Sequence, residues 1–434
     1  MAREEALAEK ATQGVTKPDQ VHQGQTQLTF FQRQFYRPTN HGWTEKNEPE
    51  VWRFSFLSRG ALLVGALTCL IIIAILASVL GTMLDNNKKT KDAAKHPSPI
   101  NQAILANFPD PAVVHHDGTW YAFATNDAAG ILAMPENLTV AEYGTSNVQI
   151  ATSQNFNNWT LLNSTNDPLP DTGAWVEQGF GTGGHHIPRA NVWAPAVLKR
   201  PSDGKFILYY SALSSNGSRA HCVGAAVSNT SSPAGPYEPL QKPLACPTQL
   251  GGAIDPATFI DTDGTIYVAW KVDGNNRGHG GICGNTIKPL KDTPIILQKM
   301  KDDAVTPDGP QITILHRTDA DGPLVEAPAF ARSPDGTYFL FFSSGCTRAP
   351  SYDLKYAWAK NITGPYTRAT YPLLKTGDWG LLAPGSVGIA EKDDGQYEMA
   401  FHARVATSYG RVRAMFTAPI DFNGTNIRLV SGSG

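Results

Sequence analysis

The sequence lacks an excess of charge of either sign. Its 434 residues carry 36 lysines and arginines against 38 aspartates and glutamates, a formal net charge of −2 at pH 7. Proteins that bind nucleic acid through its phosphates usually present a marked positive charge, which this chain does not have. We therefore expect no nucleic-acid partner.

Helical periodicity is scarce after residue 100, and two common catalytic motifs are missing. The 40 glycines and 31 prolines favour many turns, and therefore an all-β domain. No G-x-S-x-G stretch supports a serine hydrolase. The glycine-rich segment 273–285 is not followed by Lys-Ser or Lys-Thr, so a phosphate-binding loop is unsupported as well.

One long run without charge is present, between residues 60 and 84. About 20 apolar residues are enough for a helix to cross a bilayer. We therefore predict one transmembrane helix over 60–84, with a buried core helix as the alternative. Residues 1–59 are polar and predict a mostly disordered cytosolic tail, and residues 85–101 predict a short stem.

The orientation of this helix is predicted from glycosylation sequons, because the flanking basic residues do not favour one side. N-x-S/T sequons mark surface positions in secreted proteins. All seven follow the predicted helix, and they begin at Asn137, Asn158, Asn163, Asn216, Asn229, Asn361 and Asn423. This distribution predicts a single-pass type II membrane protein with a signal-anchor, whose C-terminal domain lies outside the cell or in the secretory lumen.

The cysteines agree with an oxidising location for the C-terminal domain. One of the five lies in the predicted helix, and the remaining four form an even set that can pair in three ways. We predict the disulfides Cys222–Cys246 and Cys283–Cys346, with free thiols as the alternative.

A short phrase recurs five times in the C-terminal part. Each copy has a small or acidic residue, a proline, a short apolar strand, a D-G turn and a second strand with aromatic residues. The copies lie at 107–125, 191–212, 252–271, 325–345 and 382–403. Five copies predict five radial four-stranded units, a five-bladed β-propeller over residues 102–428. A two-sheet sandwich is the alternative, but it would not explain the repetition.

The residue before each proline is predicted to face a shared central funnel. In a propeller the first strand of each blade lines the central channel. Around the ring this position holds Asp110, Ala194, Asp255, Ala327 and Ala383, and Glu326 stands one residue earlier in the fourth copy. The sequence therefore predicts that three carboxyl groups from three blades converge. The alternative for each aspartate is a turn or strand cap.

Convergent carboxyl groups are costly to bury, so their perturbed pKa values are the expected reason for keeping them. Two carboxyl groups with different roles are the usual apparatus of glycoside hydrolysis. One protonates the leaving oxygen, and the other activates water or attacks the sugar.

These motifs, D-P at Asp110, W-A-P at 193–195, I-D-P at 254–256 and E-A-P at 326–328, resemble those of glycoside hydrolase family 43. The resemblance covers about residues 102–428. It implies a five-bladed propeller that hydrolyses α-L-arabinofuranosyl or β-D-xylosyl linkages with inversion.

The resemblance also implies roles for the three acids. Asp110 would be the general base that deprotonates water, and Glu326 the general acid that protonates the departing oxygen. Asp255 would raise the pKa of Glu326 and hold it in position. An inverting enzyme keeps its two carboxyl groups about 6.5–9.5 Å apart to admit the water.

Further residues are expected around the sugar. Phe108 and Trp193 adjoin the funnel positions and could stack on a sugar face, although core packing is an equal alternative. The resemblance implies that Arg404 binds the sugar, and that His402 holds a calcium ion or a water cluster near the channel centre. It implies no required cofactor.

The sequence leaves the substrate open within the family. We expect an inverting hydrolase of arabinose-containing plant-type polysaccharide or oligosaccharide, with a β-D-xylosidase as the alternative. A non-catalytic carbohydrate-binding propeller and a cell-surface adhesion protein are further alternatives. The expected partners are a carbohydrate substrate and the membrane, and the sequence does not predict an oligomeric state.

Overall fold

The structure is a computed structural model, and it divides the chain into two units, residues 1–87 and 88–434. The residues that it describes are 36–39, 42–45, 70–72, 74, 98–126, 146–178, 180–182, 185–187, 191–405 and 412–430.

The described part of the first unit contains an antiparallel hairpin, in which strand β1 (Tyr36–Thr39) pairs with strand β2 (Gly42–Glu45). The predicted transmembrane helix lies outside the described residues, except for 70–72 and 74, which are helical. In the part of the chain that the structure describes, no helix has the length and apolar character needed to cross a membrane. The rest of the predicted tail and most of the stem also lie outside the described residues.

The second unit is built from strands. In chain order they are β3 (Asn101–Ile104), β4 (Ala112–His116), β5 (Thr119–Thr125), β6 (Val148–Ser153), β7 (Trp159–Leu161), β8 (Phe180–Thr182), β9 (His185–Ile187), β10 (Trp193–Lys199), β11 (Phe206–Leu213), β12 (His221–Ser228), β13 (Tyr237–Pro239), β14 (Ala253–Ile260), β15 (Ile266–Val272), β16 (Ile295–Met300), β17 (Ile312–Leu315), β18 (Val325–Arg332), β19 (Tyr338–Ser344), β20 (Asp353–Ala359), β21 (Thr367–Arg368), β22 (Gly385–Glu391), β23 (Tyr397–Arg404), β24 (Arg413–Asn423) and β25 (Asn426–Leu429). Short 3-10 turns cover Ser164–Asn166, Thr248–Leu250, Gly274–Arg277, Ile282–Gly284, Asp319–Asp321 and Asp378–Gly380.

Five antiparallel sheets use these strands in simple order. Their strand orders are β4–β7, β10–β13, β14–β17, β18–β21 and β22–β25, with β8 and β9 forming a separate hairpin. The five repeated phrases are the inner hairpins of these sheets, and the predicted five-bladed β-propeller is confirmed. Each inner strand contacts the inner strands of both neighbouring blades, so the ring is continuous.

The ring is closed by a strand from the start of the domain. Strand β3 pairs with β24 of the last blade, with Ile104 opposite Met415 and Asn101 opposite Thr417. The fifth blade therefore contains segments that lie more than 300 residues apart in the sequence.

The core consists of five apolar clusters, one at each interface between blades. Strand β11 shows how a blade serves two interfaces, because side chains alternate across a strand. Leu208 and Tyr210 face blade one, while Ile207 and Tyr209 face blade three. A strand that is buried on both faces must be apolar along its whole length, as the sequence FILYYSAL is.

An irregularity at the start of each inner strand shapes the channel. Five residues, one per blade, have a left-handed backbone with φ between 40° and 57°: Asp110, Ala194, Asp255, Ala327 and Ser386. In blades two to five the register of the inner hairpin shifts at this residue. Such bulges re-aim a side chain. The fifth position is Ser386 and not Ala383 as predicted, because the register shift between Gly385 and Val387 places Ser386 in the ring.

The backbone N–H group of each of these five residues donates to a side chain of the preceding blade. The donor and acceptor pairs, which we call the axial belt, are Asp110 to His402, Ala194 to Thr125, Asp255 to Ser211, Ala327 to Asp255, and Ser386 to Ser343. In four blades the acceptor comes from the second strand. In blade three the second strand has Lys271 opposite Ile254, and the Asp255 carboxylate accepts instead.

The covalent and surface features agree with the sequence. Cys222 pairs with Cys246, and Cys283 pairs with Cys346. Asn137 lies outside the described residues. The other six sequon asparagines are exposed, namely Asn158, Asn163, Asn216, Asn229, Asn361 and Asn423.

Candidate active site

The inner strands enclose an axial cavity of about 90 Å³. Each blade contributes four consecutive residues that begin at its left-handed position: 110–113, 194–197, 255–258, 327–330 and 386–389. The cavity is lined mainly by proline, alanine and valine, so the polar side chains at the start of the strands are its chemically distinctive part.

The three predicted carboxyl groups are brought together at the end of the channel where the inner strands begin. Tyr352, which precedes strand β20, is buried beside all of them. Burial raises the pKa of Tyr352 well above its usual range, and the charges of Glu326, Asp110 and Asp255 raise it further. One phenol group therefore interacts electrostatically with all three acids.

Asp110 lies among hydrogen-bond donors. Thr125 Oγ1 donates to Asp110 Oδ2 at 2.7 Å, and Arg413 Nη1 lies 3.0 and 3.2 Å from the two carboxylate oxygens. Burial would raise the pKa of Asp110, but the Arg413 guanidinium, the His402 ring and the Thr125 hydroxyl outweigh it, and the pKa is well below its usual range. Asp110 is therefore a carboxylate at any ordinary pH.

Asp255 has the opposite character. Burial raises its pKa well above the usual range, and the charge of Glu326 raises it further. The backbone N–H of Ala327 donates to Asp255 Oδ2 at 3.0 Å, which keeps the carboxyl beside Glu326. Asp255 therefore keeps its proton at pH values where an exposed aspartate is ionised.

A buried cation, Lys271, contacts Glu326, and it was not among the predicted site residues. Lys271 is 1% exposed, and its Nζ donates to Glu326 Oε2 at 3.0 Å. Asp273 Oδ1 lies 3.3 Å from the same nitrogen. The single lysine in the apolar strand IYVAWKV was the signal, since a buried lysine needs charged partners.

Arg413 was missed for a different reason. It lies in a short segment with another arginine nearby, and nothing local connects it with Asp110, about 300 residues earlier. Only the pairing of β23 with β24, which sets Arg413 opposite Arg404, brings it to the funnel.

Two predicted sugar-binding residues lie at this end of the channel. Arg404 is almost fully buried, and its Nε donates to the Thr347 carbonyl at 2.8 Å. Trp193 begins strand β10 and stacks on His221, with ring centroids 4.0 Å apart. Burial lowers the pKa of His221 to about 4, so the ring beside Trp193 is neutral.

Phe108 does not have the predicted position. It is fully buried in the cluster between blades five and one, together with Ile104, Trp120 and Met415. No part of its ring is exposed to a sugar, so the stacking interpretation is corrected to a core role. Its place directly after β3 explains this, because the β3–β24 pair covers that interface.

His402 is part of the axial belt. Its Nδ1 lies 3.2 Å from both the backbone nitrogen and Oδ1 of Asp110, and burial lowers its pKa to about 4. Calcium prefers about six to eight oxygen ligands. Among the described residues no group of three or more His, Cys, Asp or Glu side chains could hold a metal. Only Nδ1 of this ring is engaged with Asp110, and the buried Nε2 has no hydrogen-bond partner among the described residues, so the mostly water-ligated calcium ion or water cluster expected at His402 stays a prediction.

Comparison with known proteins gives a consistent result. The sequence model described as "Glycosyl hydrolases family 43" matches residues 100–426. The chain is 26% identical over 391 residues to the extracellular exo-alpha-(1->5)-L-arabinofuranosidase ArbA of Cellvibrio japonicus, covering 84% of this chain and 88% of that protein. It is 27% identical over 263 residues to the extracellular endo-alpha-(1->5)-L-arabinanase 1 of Bacillus subtilis, covering 59% and 66%.

A solved structure agrees with the fold. The crystal structure of a thermostable family-43 glycoside hydrolase superposes with a TM-score of 0.58 at 22% identity. The match covers 74% of this chain and 92% of that one.

Proposed function

Because the chain belongs to glycosyl hydrolases family 43, we propose that its propeller hydrolyses α-L-arabinofuranosyl linkages with inversion at the anomeric carbon. The chain is a glycoside hydrolase, and the proposal concerns its mechanism, its residues and its sugar. The observation that carries it is the contrast within one funnel between Asp110, whose carboxylate lies 3.0 Å from Arg413 Nη1, and Asp255, whose pKa is raised well above its usual range by burial and by the charge of Glu326.

The two sites divide the reaction between them. Asp110 accepts a proton from water while the water oxygen forms a bond to the anomeric carbon. Glu326 gives its proton to the glycosidic oxygen while the bond from that oxygen to the anomeric carbon breaks. Afterwards Asp110 holds a proton, Glu326 is a carboxylate, and exchange with solvent restores both. The step needs no cofactor.

The remaining residues position the acids and the sugar. Asp255, fixed by the backbone N–H of Ala327, keeps Glu326 in place. Arg404 supplies guanidinium donors to the hydroxyl groups of the sugar, and Trp193 supplies an aromatic face. These roles place the sugar between the two carboxyl sites.

The choice of sugar is supported by the relatives. The names of two of them state activity on alpha-(1->5)-L-arabinose linkages, one as an exo-acting and one as an endo-acting enzyme. We therefore propose arabinose-containing polysaccharide or oligosaccharide as the substrate class. β-D-Xylosides are the alternative that the experiment must separate.

The test uses the full chain, purified in detergent, with 4-nitrophenyl α-L-arabinofuranoside, 4-nitrophenyl β-D-xyloside and linear arabinan. We expect hydrolysis of the arabinosides, with the inverted anomer observed first by proton NMR. Glu326→Ala should abolish arabinan hydrolysis, while the exposed Glu238→Ala should leave it unchanged. Turnover of the xyloside alone would correct the sugar, and sugar binding without turnover would favour a binding propeller.

We also propose that residues 60–84 anchor the chain in a membrane with the propeller outside the cell or in the secretory lumen. Two disulfides and six exposed sequon asparagines in the propeller support this side. The test is peptide N-glycosidase treatment together with protease digestion of sealed microsomes. A protected and glycosylated propeller is expected, and an unglycosylated, digestible one would refute the orientation.

A further inference from the structure

Lys271 lies at the second-strand position that supplies an acceptor for the axial belt in each of the four other blades. The equivalent residues on the second strands are Thr125, Ser211, Ser343 and His402, and each accepts the belt hydrogen bond of the next blade. A lysine ammonium has three donors and cannot accept. Asp255 Oδ2 takes over the belt bond from the Ala327 N–H, and Lys271 is left to contact other groups.

The ammonium of Lys271 contacts two carboxyl groups. Glu326 Oε2 lies 3.0 Å from its Nζ, and Asp273 Oδ1 lies 3.3 Å from it. Burial would lower the pKa of Lys271, but the charges of Glu326, Asp273 and Asp255 raise it above its usual range. The lysine therefore stays cationic and does not itself supply the proton of the reaction.

We propose that Lys271 is a positioning residue for the acid, which holds Glu326 by Oε2 and stabilises the carboxylate that forms when Glu326 gives up its proton. This inference rests on the proposed function. With Oε2 engaged by Lys271, Oε1 is the oxygen that carries the proton toward the leaving group.

The two partners of Lys271 act at different stages. The proposed reaction begins with the proton on Glu326, and at that stage Asp273 balances the ammonium. As the glycosidic bond breaks, negative charge develops on Glu326 at 3.0 Å from Nζ, and a neutral hydrogen-bond acceptor becomes a charged one. An interaction that strengthens only in the transition state accelerates the reaction.

Other titratable groups also face Lys271 and Glu326, and each of them can contribute to the pH dependence of the reaction. They come from several elements packed around it: Asp255 on β14, Asp273 after β15, His221 on β12 and Tyr352 before β20. His221 and Tyr352 are neutral at pH 7, because burial lowers the pKa of the first and raises that of the second. Lys271 is therefore the cation that faces the acid pair.

The test compares full-chain Lys271→Met and Asp273→Asn with the native enzyme, using pH profiles of kcat/KM. The basic limb of such a profile reports loss of the acid's proton. Removing the cation should move this limb upward by about 1 pH unit or more, and removing the Asp273 charge should move it downward. Shifts in opposite directions cannot arise from damaged folding.

Leaving-group dependence gives a second readout. With methyl α-L-arabinofuranoside, Lys271→Met should lower kcat by about 10²-fold, as loss of one donor to a developing charge does. With 4-nitrophenyl α-L-arabinofuranoside the loss should stay below about fivefold, because nitrophenolate leaves without help from an acid. Lys271→Arg should recover most of the activity. Lys392→Met removes a lysine that pairs with Glu398 at 3.1 Å in the β22–β23 hairpin and is the matched control.

The outcomes separate the two hypotheses. If the native chain turns over no glycoside, the proposed function fails. If it does turn over arabinosides, but Lys271→Met loses activity equally on both leaving groups with unshifted limbs, the role of Lys271 is only structural and the inference is wrong. If Lys271→Met fails to fold, the direction of the shift in Asp273→Asn still decides.

Discussion

The two aspartates of the funnel occupy the same place in the fold and have opposite chemistry. Asp110 and Asp255 each precede a proline in an inner strand, with φ of 56° and 57°. Arg413, His402 and Thr125 hold the pKa of Asp110 well below its usual range. Burial and Glu326 raise that of Asp255 well above it. Both aspartates have the same left-handed backbone conformation, so the side chains around each carboxyl group decide which aspartate keeps its proton.

The cations beside the two carboxyl sites come from different parts of the chain. The cation beside Asp110 belongs to strand β24, on the far side of the ring closure. The cation nearest Asp255 and Glu326 belongs to the adjacent strand β15. A repeated hairpin can therefore present a carboxyl group at a fixed point while the strand behind it sets the charge. Four substitutions test this comparison.

The largest effect is expected at Asp110. Asp110→Asn keeps the shape but removes the base, and kcat should fall by about 10²–10⁴-fold on 4-nitrophenyl and unactivated arabinosides alike. The measurement is steady-state kinetics on both substrates, with the exposed Asp203→Asn as control. A loss confined to the unactivated substrate would assign Asp110 to the acid side and break the comparison.

Asp255→Asn should have the next largest effect. The amide oxygen can still accept from Ala327, but one carboxyl group beside Glu326 is lost, so the acid releases its proton at lower pH. We expect the basic limb to fall by about 1–2 pH units, and the rate on that limb to fall about tenfold per unit. An unchanged pH profile would show that the two carboxyl groups do not share a proton.

Arg413→Met should act on the other limb. Without the guanidinium the pKa of Asp110 rises, and the acid limb should move up by about 1–3 pH units. Because that pKa starts well below its usual range, the rate at pH 7 should change little. In a profile of kcat/KM from pH 3 to pH 8, the variant should show the start of an acid limb that the native enzyme does not show in this range. A shifted basic limb would instead place Arg413 beside the acid pair.

The smallest effect is expected at Ser386, one of the three ring positions without a carboxyl group. Ser386→Ala keeps the backbone N–H that donates to Ser343, and alanine already occupies this position in blades two and four. We expect a change below about 0.5 kcal/mol in stability and about twofold in kcat, measured by thermal unfolding and kinetics. A large loss in rate would mean that the position itself is catalytic.

Much of the propeller follows from local sequence. Each repeated phrase contains its own proline, strand and turn, so the five hairpins and the carboxyl groups at their starts could be predicted. The fifth ring position could not, because in that blade the strand begins after the proline and its bulge lies at Ser386, three residues beyond Ala383. Phe108 adjoins the funnel in sequence, but its side chain faces the core.

The charges that set the roles of the acids were harder to predict. Lys271 was visible as a single lysine in an apolar strand, but its partner Glu326 lies 55 residues away. Arg413 contacts Asp110 although 303 positions separate them in the sequence, and no local pattern predicts a contact over that separation. Prediction succeeded where strands and turns are local, and it failed where pairing joins distant blades.

The closing strand has a consequence for the timing of activity as the chain is synthesised. Asp110 emerges from the ribosome early, but His402 and Arg413, which complete its surroundings, come with the last blade, whose sheet also takes up β3. Chains grow from the N-terminus, and earlier segments begin to fold while later ones are still absent. A nascent propeller with four blades thus has its acid pair with Lys271 but no finished base. Competence to cleave sugar therefore arrives only with the final strands.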